Sequence, residues 1–352
     1  MHRGVGFAGQ PLKALPKMQQ PPNVAAPKGQ PQDPAARGES EIRGVILAAG
    51  KGSRIRPFSE TYPKPLLPVL DRPLMVWQIE SMVSLGIREI TIVIGHLGHR
   101  IVSELGDGAH FGAKLTYVEQ NEMLGIAHAV GQLERHLNQP FLLFLGDIFF
   151  ETRNLSTMID QFHRDGVDAV LAVKRETDPA AIRRNFTVEV DDRGFVRRVV
   201  EKPRHPRTDL KGCGLYLFDA TIFDAIRRTP RTALRDEYEL TDAIQIFLAD
   251  GYGVWAADVI ERDLNMSTPV DLLELNLHAM RRKGHENFVA EGASVDPSAK
   301  LEGSVVLRGA RVGAGVVLRN CCVLPGEVIA GGTYERSILS SGRVVDCTDE
   351  GD

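Results

Sequence analysis

The chain has 352 residues, a formal net charge of −4 and 43% hydrophobic residues. This balance excludes a strongly basic nucleic-acid-binding protein, and no apolar run approaches the ~18 residues of a transmembrane helix. We therefore expect neither nucleic acid nor a membrane as a partner. The 4 cysteines form no CxxC pair, which is typical of a reduced, cytoplasmic protein without a disulfide framework or a zinc site.

Residues 1–40 are rich in proline, glutamine, alanine and glycine and contain almost no aromatic side chains. Such a segment buries too little apolar surface to offset the entropy of ordering its backbone. It also lacks the apolar core of a signal peptide. The sequence therefore predicts a disordered tail over 1–40, followed by one main domain over 41–285.

From residue 44 onward, short apolar runs alternate with helical patterns. The predicted strands in this part are 44–49, 89–94, 113–118 and 141–145, and the predicted helices are 73–85, 98–105 and 125–137. Further on, strands are predicted at 169–173, 186–190, 195–200 and 212–218, and helices at 220–228, 241–249 and 269–282. The first alternation is typical of a mostly parallel α/β sheet covered on both faces. Ligands of such sheets bind at the carboxyl ends of the strands, where Gly50 and Asp147 lie.

The last part of the chain changes period. Apolar residues recur every six positions in two series, Val306, Val312, Leu318 and Leu324, and Val295, Leu301 and Leu307. A hexapeptide period is the signature of a β-helix. We predict a short β-helix of about two coils over 286–340, followed by a terminal tail over 341–352. In the adjacent pair Cys321 and Cys322, one side chain should point inward and the other outward.

A glycine-rich loop loaded with positive charge follows the first predicted strand. Residues 47–57 are LAAGKGSRIRP, and residues 62–69 are YPKPLLPV. The glycines let backbone N–H groups approach a ligand closely, and the cations Lys51, Arg54, Arg56 and Lys64 suit a polyphosphate. The spacing fits neither the Rossmann fingerprint nor the Walker A motif. Prolines on both sides of Lys64 restrict its backbone, as expected for a fixed cation.

Together, residues 45–69 resemble the signature of the sugar-1-phosphate nucleotidylyltransferases, or NDP-sugar pyrophosphorylases, in which LAxG-x-G-[ST]-R precedes PK-x-LLP-V. The resemblance extends over roughly 44–283, and the hexads match a common C-terminal appendage. It implies an α/β fold with a mostly parallel, Rossmann-like (GT-A-like) nucleotidyltransferase sheet and a short C-terminal left-handed β-helix. It also implies a catalytic domain over 41–285 that converts an NTP and a sugar-1-phosphate into an NDP-sugar and pyrophosphate, with Mg²⁺ as cofactor.

The resemblance assigns roles to particular residues. The catalytic set would be Arg54, Lys64, Asp147 and Lys202, in which Arg54 and Lys64 bind phosphate groups. Asp147 and Asn265 would hold Mg²⁺ through oxygen atoms. Asp263 lies two residues earlier, but Asn265 has the family's spacing to the Thr-Pro that opens the last helix. The nucleotide would contact Leu47, Ala48, Gly50, Gly52, Ser53, Gln120 and Gly125.

The base and the sugar are addressed by two further segments. Gln120 and the LGIAHA run at 124–129 resemble the family's pyrimidine-binding segment and favour UTP or dTTP, because a Gln amide can pair with a donor and an acceptor on one base edge. The run at 201–203 resembles the family's EKP motif, so Glu201 and Gly214 would contact the sugar and Lys202 its phosphate. Asn-Phe at 185–186 stands where the family often has Tyr-Gly, which leaves the identity of the sugar open.

Alternatives remain beside this interpretation. A catalytically silent homologue that binds NDP-sugars would share the fold, although the intact catalytic set favours an enzyme. A glycosyltransferase of related fold would carry a D-x-D motif, whereas residues 146–148 are GDI. An acyltransferase site on the β-helix is disfavoured because about two coils are too few for a three-subunit site. The hexads instead favour homo-oligomerisation or an allosteric cap.

Overall fold

The computed structural model describes residues 41–232 and 236–348. The predicted tail at 1–40 therefore lies outside the described residues, as do residues 349–352. The described chain forms two compact units. The first, which we call the sheet unit, contains the described residues up to Lys51 together with Met75–Asn265; the second, the coil unit, contains Gly52–Leu74 and the residues from Met266 onward. Segment 52–74 thus belongs to the same unit as the C-terminal residues, whereas the sequence predicts it within the main domain 41–285.

The described elements contain the predicted alternation together with further strands and helices that the sequence patterns do not predict. The strands up to residue 265 are β1 (Arg43–Ala48), β2 (Pro68–Val69), β3 (Arg72–Pro73), β4 (Glu89–Ile94), β5 (Lys114–Glu119), β6 (Phe141–Leu145), β7 (Ile148–Thr152), β8 (Ala169–Arg175), β9 (Phe186–Val190), β10 (Val196–Glu201), β11 (Leu210–Phe218), β12 (Val254–Asp258) and β13 (Ile260–Asn265). The α-helices are α1 (Leu74–Ser84), α2 (Gly98–Leu105), α3 (Ile126–Gly131), α4 (Ser156–Phe162), α5 (Pro179–Arg184), α6 (Ile222–Arg228), α7 (Leu240–Ala249) and α8 (Pro269–Arg282).

Helix α3 ends at Gly131, whereas the sequence predicts a helix as far as residue 137. Beyond Gly131 the chain continues in tighter turns, in which the N–H groups of Leu133 and His136 donate to carbonyl groups three residues earlier. A glycine has no side chain to restrict its backbone, so it disfavours a continuous helix. The prediction was wrong for this half of the segment.

The sheet unit is built on a nine-stranded sheet. Strands β6, β1, β4 and β5 are neighbours in that order and are all parallel, and β12 is parallel to β8. Strand β11 runs antiparallel to β6 and β8, and β9 and β10 extend the sheet beyond β11. The predicted α/β fold with a mostly parallel, Rossmann-like sheet is confirmed. Because β1, β4 and β6 are parallel, the loops that follow them emerge at one edge.

Helices α3, α6 and α7 cover one apolar face of this sheet. Val130, Ile222 and Phe247 from the three helices join Phe141 and Phe218 of the sheet in one cluster of buried side chains. Burial of a large apolar side chain stabilises a fold by about 1.5–3 kcal/mol. This cluster therefore holds the strands, and hence their carboxyl ends, in a fixed register.

Among the helices described within residues 41–232 and 236–348, none combines the length and the apolar character that a membrane-spanning helix needs.

The C-terminal part of the coil unit is a parallel β-helix. Its strands are β14 (Phe288–Val289), β15 (Ser294–Val295), β16 (Lys300–Glu302), β17 (Val305–Val306), β18 (Arg311–Val312), β19 (Val317–Arg319), β20 (Cys322–Val323), β21 (Val328–Ile329), β22 (Thr333–Glu335), β23 (Ser337–Ser340) and β24 (Arg343–Asp346). They stack into the parallel series β14-β17-β20-β23, β15-β18-β21 and β16-β19-β22.

The β-helix is longer than the hexads predict. Phe288 pairs with Val305, which pairs in turn with Cys322, so each of these coils takes 17 residues, and the next, from Cys322 to Ile338, takes 16. Four stacked strands in the first series make three full coils, where the sequence predicts about two. The predicted inward positions Val306 and Leu318 are fully buried in its core. The segment predicted as a tail contains β24, which pairs antiparallel with β23. The turn between the two strands consists of Ser341 and Gly342, both at positive φ, as a two-residue type I′ hairpin requires.

Helix α8 packs on β17, β20 and β23 and on β2 within the coil unit. Cys321 lies in the core of the β-helix, whereas Cys322 lies on β20, against which α8 packs, so the predicted inward and outward alternation leaves neither thiol exposed. On the side of β2, the fully buried Asn276 accepts from the N–H of Leu70 at 2.8 Å and donates to the carbonyl oxygen of Pro68 at 2.9 Å. Helix α8 therefore joins segment 52–74 to the β-helix.

Candidate functional site

The carboxyl ends of β1 and β6 bring several predicted site residues of the sheet unit together. Leu47 pairs with Leu145 in the parallel register, and the N–H of Gly146 donates to the carbonyl oxygen of Leu47 at 2.9 Å. Asp147 therefore directly follows Gly146, whose N–H is hydrogen-bonded to the end of β1. Ala48 is buried, and the chain leaves the sheet after it.

The antiparallel pair β7 and β13 brings the two predicted metal ligands to one end. Asn265 lies opposite Ile148, and Asp147 immediately precedes Ile148. The side chain of Gln78 on α1 fixes this corner, since its Nε2 donates to the carbonyl oxygens of Leu145 and Ile148 at 2.9 and 2.8 Å. A carboxylate and an amide oxygen are donors that Mg²⁺ accepts, usually together with water and substrate phosphates.

The second carboxylate of β13 is engaged elsewhere. The side chain of Asp263 is 7% exposed, and its oxygens accept from Nζ of Lys211 at 2.7 and 2.9 Å. Nζ of Lys174 lies 3.0 Å from Asp263 and 3.0 Å from Glu176. The two lysines are directly opposite each other on β8 and β11, where their repulsion would be destabilising without the carboxylate between them. The side chain of Asp263 is thus buried in an ion cluster, whereas Asn265, two residues later, is exposed.

The ion cluster shifts the pKa of Lys174 and of Glu176. Burial opposes the charge of Lys174, but the attraction of Asp263 outweighs it and raises the pKa of Lys174. Burial also opposes the charge of Glu176, yet its hydrogen bond with Lys174 lowers the pKa of Glu176. The neighbouring thiol of Cys213 is buried, which raises its pKa well above the ordinary value. Lys174 and Glu176 therefore stay charged at neutral pH, and the thiol of Cys213 stays neutral.

Gln120 lies where the chain leaves β5, beside the end of β4. Its N–H donates to the carbonyl oxygen of Ile94 at 2.8 Å, and the residue is 5% exposed. Its side-chain Nε2 lies 2.9 Å from the carbonyl oxygen of Glu122 and 3.2 Å from Nδ1 of His128. The predicted base-binding amide is thus held by two partners of this chain.

Gly125 is required by a close approach of two backbone segments. Its φ is +111°, and a Cβ there would lie 2.5 Å from the carbonyl oxygen of Tyr238. The same oxygen accepts from the N–H of Ala127 at 3.0 Å. The ring of Tyr238 stacks on His128 with centroids 6.1 Å apart. Tyr238 therefore supports both Gly125 and the partner of Gln120.

The end of β10 carries the predicted sugar-binding pair. Glu201 lies opposite Phe186 of β9, and its Oε2 accepts from the hydroxyl of Thr241 at 3.3 Å. Lys202 is exposed and has a φ of 42°, and its N–H donates to the carbonyl oxygen of Asn185 at 2.8 Å. The backbone turn therefore separates a half-buried carboxylate from an exposed cation.

Phe186 occupies space that a side chain at Gly212 would need. The ring stacks on Tyr216 at 6.1 Å and 14°, and a Cβ at Gly212 would lie 1.8 Å from it. Gly214 lies in an irregularity of β11 between Gly212 and Tyr216, next to Ile148. Of the predicted sugar contacts, Gly214 is therefore the one beside the end that carries Asp147.

The remaining predicted residues, Gly52, Ser53, Arg54 and Lys64, belong to the coil unit. Ser53 and Arg54 start a 3₁₀ turn, Ser53–Ile55, and Arg54 is exposed. Lys64 starts a second one, Lys64–Leu66, and is 9% exposed. The burial of Lys64 agrees with the restricted backbone that its two neighbouring prolines predict.

Several residues around the site were not found by sequence reasoning. The sequence does mark Lys211 as unusual, because it is a charged residue within the apolar run 210–218. His128 lies within the matched segment, but nothing in the sequence shows that its ring reaches Gln120. Tyr238 carried no signal, since it approaches Gly125 from a part of the chain more than a hundred residues away.

Comparison with known proteins gives consistent matches. The family profile described as Nucleotidyl transferase matches residues 43–264. The low-salt glycan biosynthesis nucleotidyltransferase of Haloferax volcanii is 34% identical over 265 residues, which cover 74% of this chain and 72% of that protein. The glucose-1-phosphate thymidylyltransferase of Streptomyces griseus is 32% identical over 295 residues, 83% of this chain and 79% of that protein. A crystal structure from Bacillus anthracis, assigned as a glucose-1-phosphate thymidylyltransferase in complex with sucrose, matches with a TM-score of 0.61 and 28% identity over 68% of this chain and 95% of that chain.

Proposed function

The chain belongs to the nucleotidyl transferase family, and from this premise we propose that it transfers a nucleotidyl group from an NTP to a sugar-1-phosphate. The proposal is supported above all by the register of β7 and β13, in which Asp147 and Asn265 share one end beside the carboxyl end of β1. The names of the relatives support the same reaction class. An oxygen of the sugar phosphate forms a bond to the α-phosphorus, and the bond to pyrophosphate breaks.

This reaction needs positioning and charge neutralisation, because both reactants are anions. Arg54 and Lys64 are the proposed phosphate-binding cations, together with the loop residues Leu47, Ala48, Gly50, Gly52 and Ser53. Lys202 binds the phosphate of the sugar, and Glu201 and Gly214 contact the sugar itself. The exposure of Lys202 beside the half-buried Glu201 supports this division of roles.

We propose that Asp147 and Asn265 hold a Mg²⁺ ion. The donor set fits, since it offers one carboxylate and one amide oxygen and leaves the other positions to phosphate oxygens and water. When bound, the ion neutralises phosphate charge. Asp263 is not part of this set because two lysines occupy its oxygens.

UTP or dTTP is the proposed nucleotide, with Gln120 and Gly125 at the base. The name of the Streptomyces relative supports thymidylyl transfer in the family. The β-helix supports a further proposal of a homo-oligomer, which light scattering on the purified chain tests. The four buried, free cysteines support a reducing, cytoplasmic location.

The decisive experiment measures pyrophosphate release with five NTPs against a panel of sugar-1-phosphates in the presence of Mg²⁺. We expect release with UTP or dTTP and at least one sugar. Asp147→Asn should abolish it, whereas the exposed Asp160→Asn on α4 should not. Absence of release with every pair would contradict the proposal and favour a silent homologue that binds NDP-sugars.

A further inference from the structure

We infer that His128 is a positioning residue that fixes the side-chain amide of Gln120, so that a nucleobase meets only a hydrogen-bond acceptor there. The inference rests on the proposed use of Gln120 in base binding. It goes further, because it assigns the direction of that hydrogen bond and hence the class of base.

The orientation of the Gln120 amide is set by the backbone. The carbonyl oxygen of Glu122 can only accept, so the amide atom 2.9 Å from it is the nitrogen, Nε2. The same nitrogen lies 3.2 Å from Nδ1 of His128. An amide nitrogen carries two hydrogens and does not accept. Both hydrogens are therefore donated within the chain, one to Glu122 and one to His128.

This arrangement sets the tautomer of His128. Its Nδ1 accepts from Gln120, so in the neutral ring the proton is on Nε2. Nε2 lies 3.2 Å from the terminal amide of Gln132. Two amide nitrogens cannot both donate to one ring, because the ring would have to be an imidazolate. The Gln132 amide therefore turns its oxygen to Nε2–H. The oxygen and nitrogen of an amide have almost the same shape, so the hydrogen-bond network decides this orientation.

The tautomer restricts what Gln120 can offer a base. With both N–H groups in use, only its Oε1 remains for a bond to a ligand. Uracil and thymine present an N–H donor at N3, and guanine presents one at N1, whereas cytosine N3 and adenine N1 are acceptors. The site therefore favours a base with an imide or lactam N–H. Cytosine has the size of uracil but is disfavoured, because its N3 would face an oxygen and its only donor on that edge is the exocyclic amine, one ring position away.

Equilibrium binding of UTP and CTP to the full chain tests the inference, with His128→Asn and His128→Leu as a matched pair. Asn keeps an acceptor near the position of Nδ1. Leu is branched at the same carbon as Asn but carries no acceptor. We expect wild type and His128→Asn to bind UTP at least about tenfold better than CTP, and His128→Leu to lose most of that preference because the amide can turn. Equal binding of both nucleotides by the wild type, binding of neither, or a preference that survives in His128→Leu would overturn the inference.

Long-range nitrogen–proton NMR of the wild-type histidines gives a second test that needs no variant. We expect His128 in the Nε2–H tautomer, and the Nδ1–H tautomer would overturn the inference. Neither test depends on turnover. If no pyrophosphate is released while the UTP preference and the tautomer are as expected, the proposed reaction fails and the role of His128 stands.

Discussion

Phe186 and Gly212 are complementary residues within the sheet unit. The aromatic ring lies where a side chain on β11 would project, and it stacks on Tyr216. The sequence shows Phe186 as a departure from the family pattern. The structure shows the glycine that makes room for it, so the two residues form one packing unit beside Glu201.

We expect Gly212→Ala to destabilise the protein by about 1–3 kcal/mol, because the new methyl group overlaps the Phe186 ring. The melting temperature measures this effect. Gly331→Ala is the matched control, since a Cβ there meets nothing within 4 Å. The double variant Gly212→Ala with Phe186→Leu should recover part of the loss. A Gly212→Ala protein as stable as the wild type would contradict this packing argument.

Lys202→Ala should impair the use of sugar-1-phosphate while NTP binding stays close to wild type. The loss of one charged contact predicts a rise of roughly 10- to 100-fold in KM for the sugar phosphate. Steady-state kinetics with each substrate varied in turn measure both effects. Arg204→Ala, an exposed cation two residues later, is the control. An unchanged KM for the sugar phosphate would remove Lys202 from the proposed site.

At the scale of elements, the ion cluster ties β13 to β8 and β11. Asp263 accepts from a lysine on each of these two strands, and Asn265 lies two residues further along β13. The cluster therefore fixes the strand that carries the candidate metal ligand. Removing one partner of a buried ion pair leaves uncompensated charge, which costs more than the pair contributes.

Asp263→Asn should lower the free energy of unfolding by about 3 kcal/mol or more, since two partly buried lysines then lie opposite each other. Denaturant unfolding measures the change. Asp258→Asn, whose ion pair with Arg153 is exposed on both sides, should change it by less than about 1 kcal/mol. Equal effects of the two substitutions would show that the buried cluster has no special weight.

The lowered pKa of Glu176 makes the free energy of unfolding depend on pH in the acidic range. Its pKa is lowered in the folded protein from the ordinary value of 4.5, so its contribution is present above that pH and is lost as the pH falls through the lowered pKa. The wild type should therefore be more stable than Glu176→Gln above pH 4.5, and the difference should shrink towards zero below it. Urea unfolding of both proteins across this range measures it. A difference that stays constant in acid would contradict the pairing of Glu176 with Lys174.

At the scale of the whole molecule, all four cysteines are free and buried, one in the sheet unit and three in the coil unit. Burial raises the pKa of the Cys322 thiol, and it raises that of Cys347 to about 11 with a further contribution from Asp346. Thiols react as thiolates, so both accessibility and charge oppose reaction in the native state.

We therefore expect none of the cysteines to react rapidly with a chromogenic disulfide reagent at mildly alkaline pH in the native protein. In concentrated guanidinium chloride, all four should react. Titration of released thiolate measures the stoichiometry, and the native rate should follow unfolding. Rapid reaction of any thiol in the folded chain would show an opening that the buried positions do not predict.

Much of the fold followed from local patterns. The bounds of β4, β6, β9, α2 and α8 coincide with the predicted ones, because period and flanking Gly or Pro residues are properties of a short segment. The end of α3 was missed because the apolar helical pattern continues past Gly131, where the glycine backbone disfavours a continuous helix. The third coil was missed because successive coils take 17 and then 16 residues rather than three full hexads, so the six-residue series drifts out of register.

The sequence by itself determined the family, the α/β fold, the glycine-rich loop and the identity of the candidate site residues. All of these depend on residues close together in the chain. Only the tertiary structure decided that Asn265 lies opposite the residue after Asp147, that two lysines occupy Asp263, that Phe186 fills the space at Gly212 and that the ring of His128 reaches Gln120. These are relations between residues on different elements. They depend on strand register and loop path, which packing of the whole chain sets and local periodicity does not.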